Sequence, residues 1–217
     1  MLVPIVTTER PNPVLTVCVA AVVFLTPAHF GVVSPGVRPC AAAVAPPSVE
    51  SLAGLRRAFT ATQEGLFPYA DTLLSTSIKE WETSRQPANE VGALYKTRGG
   101  VREQQGRLPD ALSDLSKALS LMKTTSGDGA VPAVLELQRT YQMRARVHAA
   151  LGNVRDQIAD LSAAIQLLDE VDTIAATNPF LYTERANARM LMGEYSGAAE
   201  DAETAEMEFY ETVHATG

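Results

Sequence analysis

The chain has 217 residues, of which 46% are hydrophobic, 20% charged and only 6% aromatic. That apolar fraction excludes wholesale disorder, and abundant alanine with few aromatics disfavours a β-sandwich. Its 18 Lys and Arg face 25 Asp and Glu, a formal charge of -7; phosphate neutralisation needs the opposite balance, so no nucleic-acid partner is expected.

Residues 1–43 read as an address. Positions 14–26, VLTVCVAAVVFLT, carry no charge and have the length of a signal-peptide core, short of the run that spans a bilayer. Pro27 breaks any helix behind it. Ala41-Ala42-Ala43 fits an A-x-A cleavage site, which would make Val44 the new N-terminus; a cut after Ala45 would put Pro46 there and is disfavoured. An uncleaved anchor running to Val33 and a non-targeting tail remain open alternatives. Arginine and proline in Val37-Arg38-Pro39-Cys40 argue against a lipobox. Both cysteines, Cys18 and Cys40, fall in this segment, so no disulfide framework can be read beyond it. Residues 44–49 form a proline-rich linker.

From residue 50 onward the apolar spacing predicts eight helices: 50–63 and 67–82, 89–105 and 108–123, 131–151 and 154–170, 179–192 and 195–213. The helices fall into four pairs, each joined at a glycine, Gly65, Gly106, Gly152 or Gly193, followed two residues later by an apolar side chain. Glycine there supplies the positive φ that ends the first helix of a hairpin. Eight residues before the glycine stand Arg57, Arg98, Arg144 and Arg185; seven before it, the small Ala58, Gly99, Ala145 and Ala186. Five after it stand Ala70, Ala111, Gln157 and Ala198; nine after it, Leu74, Leu115, Leu161 and Ala202; twelve after it, Ser77, Ala118, Ala164 and Ala205. Small residues at paired positions let two helices approach closely. In the last helix, Ala198, Ala202, Ala205, Phe209 and Val213 make an apolar stripe opposite a glutamate-rich side, so this helix is expected to cap the array.

The pattern resembles the tetratricopeptide repeat, most closely over Thr97-Arg98-Gly99 and Gly106-Arg107-Leu108-Pro109-Asp110-Ala111 through Leu119. It covers about residues 50–214, with Tyr95, Tyr141 and Tyr182 at the tryptophan-like position of the first helix. Gly54 stands there in the first unit, which is therefore degenerate, and Gln157 replaces the second-helix alanine in the third. The resemblance implies an all-α, right-handed superhelical array of about four hairpins. Thr97-Arg98-Gly99-Gly100, the 111–119 block and the A-x-A signal together resemble small plastid proteins of this repeat family in algae and plants. That implies a chloroplast thylakoid-lumen location and a role in assembling or maintaining a photosynthetic membrane complex. A periplasmic, secreted or membrane-anchored bacterial protein is the alternative.

Arg98, Arg144 and Arg185 precede Asp114, Asp160 and Asp201 by a constant spacing that places each pair across a hairpin seam. A repeated structural salt bridge is expected, worth about 0.5–1 kcal/mol if mostly exposed, with a ligand-binding arginine ladder as the alternative; the first unit has Leu73 in place of the aspartate. No P-loop, GxSxG, HExxH or CxxC occurs. His29, His148 and His214 lack ligand spacing and read as isolated surface or groove histidines, so neither metal nor cofactor is expected, nor an enzyme.

What remains is a groove lined by the first helices of the hairpins. Its candidate residues are Lys96 with Glu103, then Arg139, Gln142 and Arg146, then Phe180, Thr183, Asn187 and Leu191. The strip reads as basic in its middle and apolar toward the C-terminal end, suited to an extended, acidic peptide with one apolar anchor. Nothing in the hairpin seams needs Lys96, Arg139 and Arg146, so these charges are assigned to a partner. The family's clamp for chaperone C-termini does not carry over: Lys96 matches, but Gly100, Met143 and Glu184 do not. The expected function is a protein-interaction scaffold, the alternative a constitutive subunit of a larger complex. Membrane contact is expected only through a partner or an uncleaved N-terminal segment.

Overall fold

A computed structural model describes residues 46–124, 131–169 and 178–215. The targeting segment with its cysteines and the Val44 terminus lie outside the described residues. Within them every regular element is helical: α1 (Val49–Gln63), α2 (Phe67–Thr83), α3 (Ala88–Gln104), α4 (Leu108–Lys123), α5 (Val131–Ala150), α6 (Val154–Asp169), α7 (Pro179–Met192) and α8 (Tyr195–Ala215). These bounds lie within two residues of the expected ones.

The boundaries follow from local chemistry. Ser48 caps α1, its hydroxyl accepting from the Ser51 N–H at 3.0 Å. Pro68, Pro109 and Pro179 occupy the first turns of α2, α4 and α7, where a missing N–H costs nothing. The four turn glycines sit at φ 73 to 77°. In each turn the next residue's N–H reaches back to a carbonyl five residues earlier. Leu66 bonds to Ala61 at 2.8 Å, and Arg107 to Arg102, Asn153 to His148 and Glu194 to Arg189 at 2.9 Å. The link from α2 to α3 repeats this closure with a non-glycine: Arg85 takes φ 56° and Gln86 N–H bonds to the Trp81 carbonyl at 3.0 Å.

Each helix packs on its neighbours in sequence, so the eight form a linear array of hairpins. We number the hairpins one to four and call their helices A and B. The small residues close each seam: a Cβ on Gly99 would lie 2.9 Å from Leu115 Cγ, and Ala58 and Ala145 are buried. Leu74, Leu115 and Leu161 are fully buried, whereas Ala202, at the same repeat position, is exposed. Leu161 shares one apolar cluster with Leu181 of the following hairpin, and no hairpin follows α8 among the described residues.

That difference corrects the expected apolar stripe of the last helix. Ala198 and Ala205 are buried, but Ala202, Phe209 and Val213 are exposed. The far side of the stripe faces the place that a further A helix would occupy, so the end of the array is not a wholly polar cap.

The first hairpin forms despite its degenerate sequence. Trp81 on α2 donates its indole N–H to the Ser51 hydroxyl at 2.9 Å, tying α2 back to α1. Gly54, where other units carry tyrosine, leaves a Cβ position 3.8 Å from the Ser77 hydroxyl oxygen.

Candidate functional site

The aspartates of the repeat are more buried than the sequence suggests, and they organise the whole array. Arg98 donates to both carboxylate oxygens of Asp114 at 2.8 and 2.7 Å, Arg144 to Asp160 at 2.8 and 2.6 Å, and Arg185 to Asp201 at 3.0 and 2.6 Å. The remaining nitrogen of each guanidinium donates to a serine on the B helix of the preceding hairpin: Arg98 to Ser75 at 3.0 Å, Arg144 to Ser116 at 3.2 Å and Arg185 to Ser162 at 3.1 Å. One side chain therefore latches two hairpins. The planar fork of arginine permits this, since a lysine could not hold a bidentate carboxylate and a third acceptor in fixed directions. Tyr95, Tyr141 and Tyr182 lie one turn earlier on the same helices, with the guanidinium carbons 5.2, 5.7 and 5.6 Å from their ring centres.

The expected seam salt bridges form, but the aspartate side chains are only 4 to 6% exposed, so the small worth of a mostly exposed pair does not apply. The guanidiniums respond accordingly. Arg98 is pushed down by burial but held above its ordinary value by the Asp114 hydrogen bond and charge. Hydrogen bonding to Asp160 raises Arg144. A second group approaches each aspartate from four residues before the glycine: Arg102 reaches Asp114 at 3.0 Å and Arg189 reaches Asp201 at 2.9 Å. In the third hairpin that place belongs to His148, whose Nε2 is 3.8 Å from Asp160. His148 is thus a buried seam residue, not an isolated surface or groove histidine, because the repeat register puts it where its counterparts are arginines.

The A-helix face gathers the sequence-predicted groove residues along one side of the array, but with partners that the sequence reading did not assign. Lys96 on α3 is hydrogen-bonded and ion-paired to Glu136 on α5. Arg139 pairs with the same Glu136 at 3.1 Å, one turn along α5. Arg146 meets Glu103 on α3 through two bonds at 3.3 and 3.1 Å. Gln142 donates to the Glu184 carboxylate on α7 at 3.3 and 3.4 Å. Burial pushes Glu136 upward, yet the hydrogen bond and charge of Lys96, helped by Arg139, hold its carboxyl below the ordinary glutamate range. The claim that Lys96, Arg139 and Arg146 lack structural partners is therefore corrected: the three cations share Glu136 and Glu103, Gln142 faces Glu184, and the strip is mixed in charge rather than basic. The signal that could have found these pairs is their separation, 40 residues for Lys96–Glu136 and 43 for Arg146–Glu103. That separation is about one repeat length and so joins adjacent A helices.

At the C-terminal end Phe180 is 68% exposed, and Leu191, Thr183 and Asn187 are also open to solvent. The Thr183 hydroxyl bonds only within its helix, to the Pro179 carbonyl at 3.2 Å. Sequence reasoning missed the opposite end, where Leu52 and Phe59 of α1 are each 49% exposed. In the repeat register Leu52 matches Arg139 and Phe180, and Phe59 matches Arg146 and Asn187, so the face carries apolar groups at both ends.

No group of three metal-ligating side chains occurs among the described residues, and no described helix is long and apolar enough to cross a membrane. No family model matches the chain, and no curated protein matches it in sequence. Solved structures do. BtubC (BKLC) from P. vanneervenii is similar with a TM-score of 0.66 at 10% identity, over 74% of this chain and 63% of that one. A putative kinesin light chain with nearly identical TPR-like repeats from Podosopora anserina gives 0.62 at 16%, over 75% of this chain and 76% of the other. MamA gives 0.56 at 15%, over 76% and 81%. The chain thus spans under two thirds of the BtubC chain. At these identities the likeness defines the fold: an all-α superhelical array of the tetratricopeptide type.

Proposed function

We propose that the protein is a non-enzymatic interaction scaffold that holds an extended partner polypeptide along its A-helix face. One observation carries this reading: the exposed Leu52 and Phe59 on α1 and Phe180 on α7 share repeat register with Arg139 and Arg146 on α5, which sets an under-compensated cation between two apolar ends. Glu136 is shared by Lys96 and Arg139, and the Arg139 side chain is 63% exposed. An exposed cation sharing its carboxylate retains charge for a ligand at small desolvation cost. An acidic segment with an apolar anchor, the carboxylate at Arg139 and the anchor at Phe180, fits these positions.

The test is affinity purification of the tagged chain followed by mass spectrometry, repeated with the Arg139→Ala/Arg146→Ala double variant. Both side chains are at least half exposed, so helicity and melting temperature should hold. Binding should weaken about tenfold or more, most at low salt where exposed charge is least screened. Undiminished capture of the same partner by the double variant overturns the groove assignment.

We further propose a translocated compartment, the chloroplast thylakoid lumen, with a partner belonging to a photosynthetic membrane complex. The support is in the sequence: the uncharged 14–26 run, the Ala41-Ala42-Ala43 site and the resemblance of the repeat phrases to plastid proteins. N-terminal sequencing of protein from the native cell should begin at Val44; an intact Met1 or Leu2 would sink the proposal.

A further inference from the structure

The two ends of the array carry unfilled halves of the same latch. At each internal junction an A-helix arginine reaches back to a serine on the preceding B helix, as described for Ser75, Ser116 and Ser162. On α8 the residue in that register, ten after the turn glycine, is Glu203, which is exposed and has no bonding partner among the described residues. On α1 the arginine in register is Arg57, also exposed. It donates only to the Ala53 carbonyl of its own helix at 3.4 Å, and Leu73 stands where its own-hairpin aspartate would be. The tail lacks a donor and the head lacks an acceptor.

The surrounding surfaces match in the same sense. Between α7 and α8 lies an open cleft of about 360 Å³ walled by Phe180 and Phe209 and floored by Ala186, Ala202 and Ala205. In the third hairpin the residues in register with that floor, Ala145, Leu161 and Ala164, share a cluster with Leu181 of α7. The counterpart of Leu181 on α1 is Ala53, which is exposed, and one turn ahead of it Val49 is 85% exposed. Charge agrees as well. From Glu200 to Glu211, α8 carries Glu203, Glu206, Glu208 and other carboxylates with no lysine or arginine, whereas α1 carries Arg56 and Arg57 against Glu50.

A terminal helix that only had to stay soluble would need polarity of either sign. These two ends are instead opposite in charge at the register position that latches every internal junction. We propose that a second copy of this chain docks head to tail, its α1 lying on α7 and α8 as α7 lies on the third hairpin, with Arg57 of the incoming copy set against Glu203. Such an interface is heterologous, so it propagates into open chains or closes into rings rather than stopping at a two-fold dimer. Ala202 stands where internal junctions carry leucine, and Glu206 where they carry isoleucine or leucine, which makes the contact weaker than an internal junction and dependent on charge.

The experiment is sedimentation velocity on the full-length chain over a range of concentrations, at low and high salt. The expected result is reversible, concentration-dependent association that weakens as salt rises. Arg57→Glu alone and Glu203→Arg alone should each lower the association constant by about tenfold or more, because each turns an attraction into a repulsion. Mixing the two variants, or combining both changes in one chain, should restore it. Both sites are solvent-exposed, and circular dichroism should show unchanged helicity. A chain that stays monomeric at every concentration overturns the proposal and leaves the cleft to a helix of another protein. Association that neither reversal weakens, or that mixing does not restore, also overturns it. Because the variants leave Phe180, Arg139 and Arg146 intact, the unassociated variants should still capture the groove partner, so this proposal and the groove assignment fail separately.

Discussion

Replacing Asp114 by alanine is expected to lower the unfolding free energy by about 3–5 kcal/mol, measured by urea denaturation. The loss is large because the carboxylate is nearly inaccessible while two guanidiniums converge on it, Arg98 through two bonds and Arg102 at 3.0 Å. Without Asp114 both cations stay half-buried, and Arg98 retains only Ser75 as a fixed acceptor beside the Tyr95 ring. Asp110, four residues earlier and half exposed, is the control: its pair with Arg107 is a surface contact, and Asp110→Ala should cost no more than about 1 kcal/mol. Equal losses for the two variants would show that the seam pairs do not hold the array together. The first hairpin supports the physical argument. There Leu73 replaces the aspartate, and Arg57 turns out to solvent, so neither half of the pair is left buried alone.

Leu161→Ala should cost about 2–5 kcal/mol, while Ala202→Leu should change stability by no more than about 0.5 kcal/mol. The two positions are equivalent in the repeat, nine residues after the turn glycine. Leu161 is fully buried and packs in one cluster with Tyr141, Ile165 and Leu181, so truncation leaves a cavity shared by two hairpins. Ala202 faces the open end, where added methyl groups meet solvent. Denaturation of both variants checks the contrast. A neutral Leu161→Ala would mean that neighbouring hairpins are not coupled through this layer.

Helix positions were legible in the residues because their causes are local. A turn glycine, a first-turn proline and a 3.6-residue apolar period act over five or six residues, and the repetition of Gly65, Gly106, Gly152 and Gly193 set the register of all four hairpins. The same register exposed the Arg–Asp pairs, since a constant spacing within a hairpin needs only the hairpin's own geometry. The partners of Lys96 and Arg146 were not legible in this way. Glu136 and Glu103 reach them from neighbouring A helices, and that pairing depends on the stagger between hairpins, which no local pattern encodes; the Arg139–Glu136 pair, three residues apart on α5, is local. The same holds for the serine arm of each latch, for the buried place of His148 against Asp160, and for the exposure of Phe209 on a stripe that reads as core. By itself, then, the sequence determined which segments are helices and how each hairpin closes, because hydrogen bonding and side-chain periodicity along one chain segment suffice for that. Only the tertiary structure decided which charges are spent between hairpins and which faces at the two ends stay uncovered. Those depend on what stands one repeat away, and at α1 and α8 no described neighbour stands there.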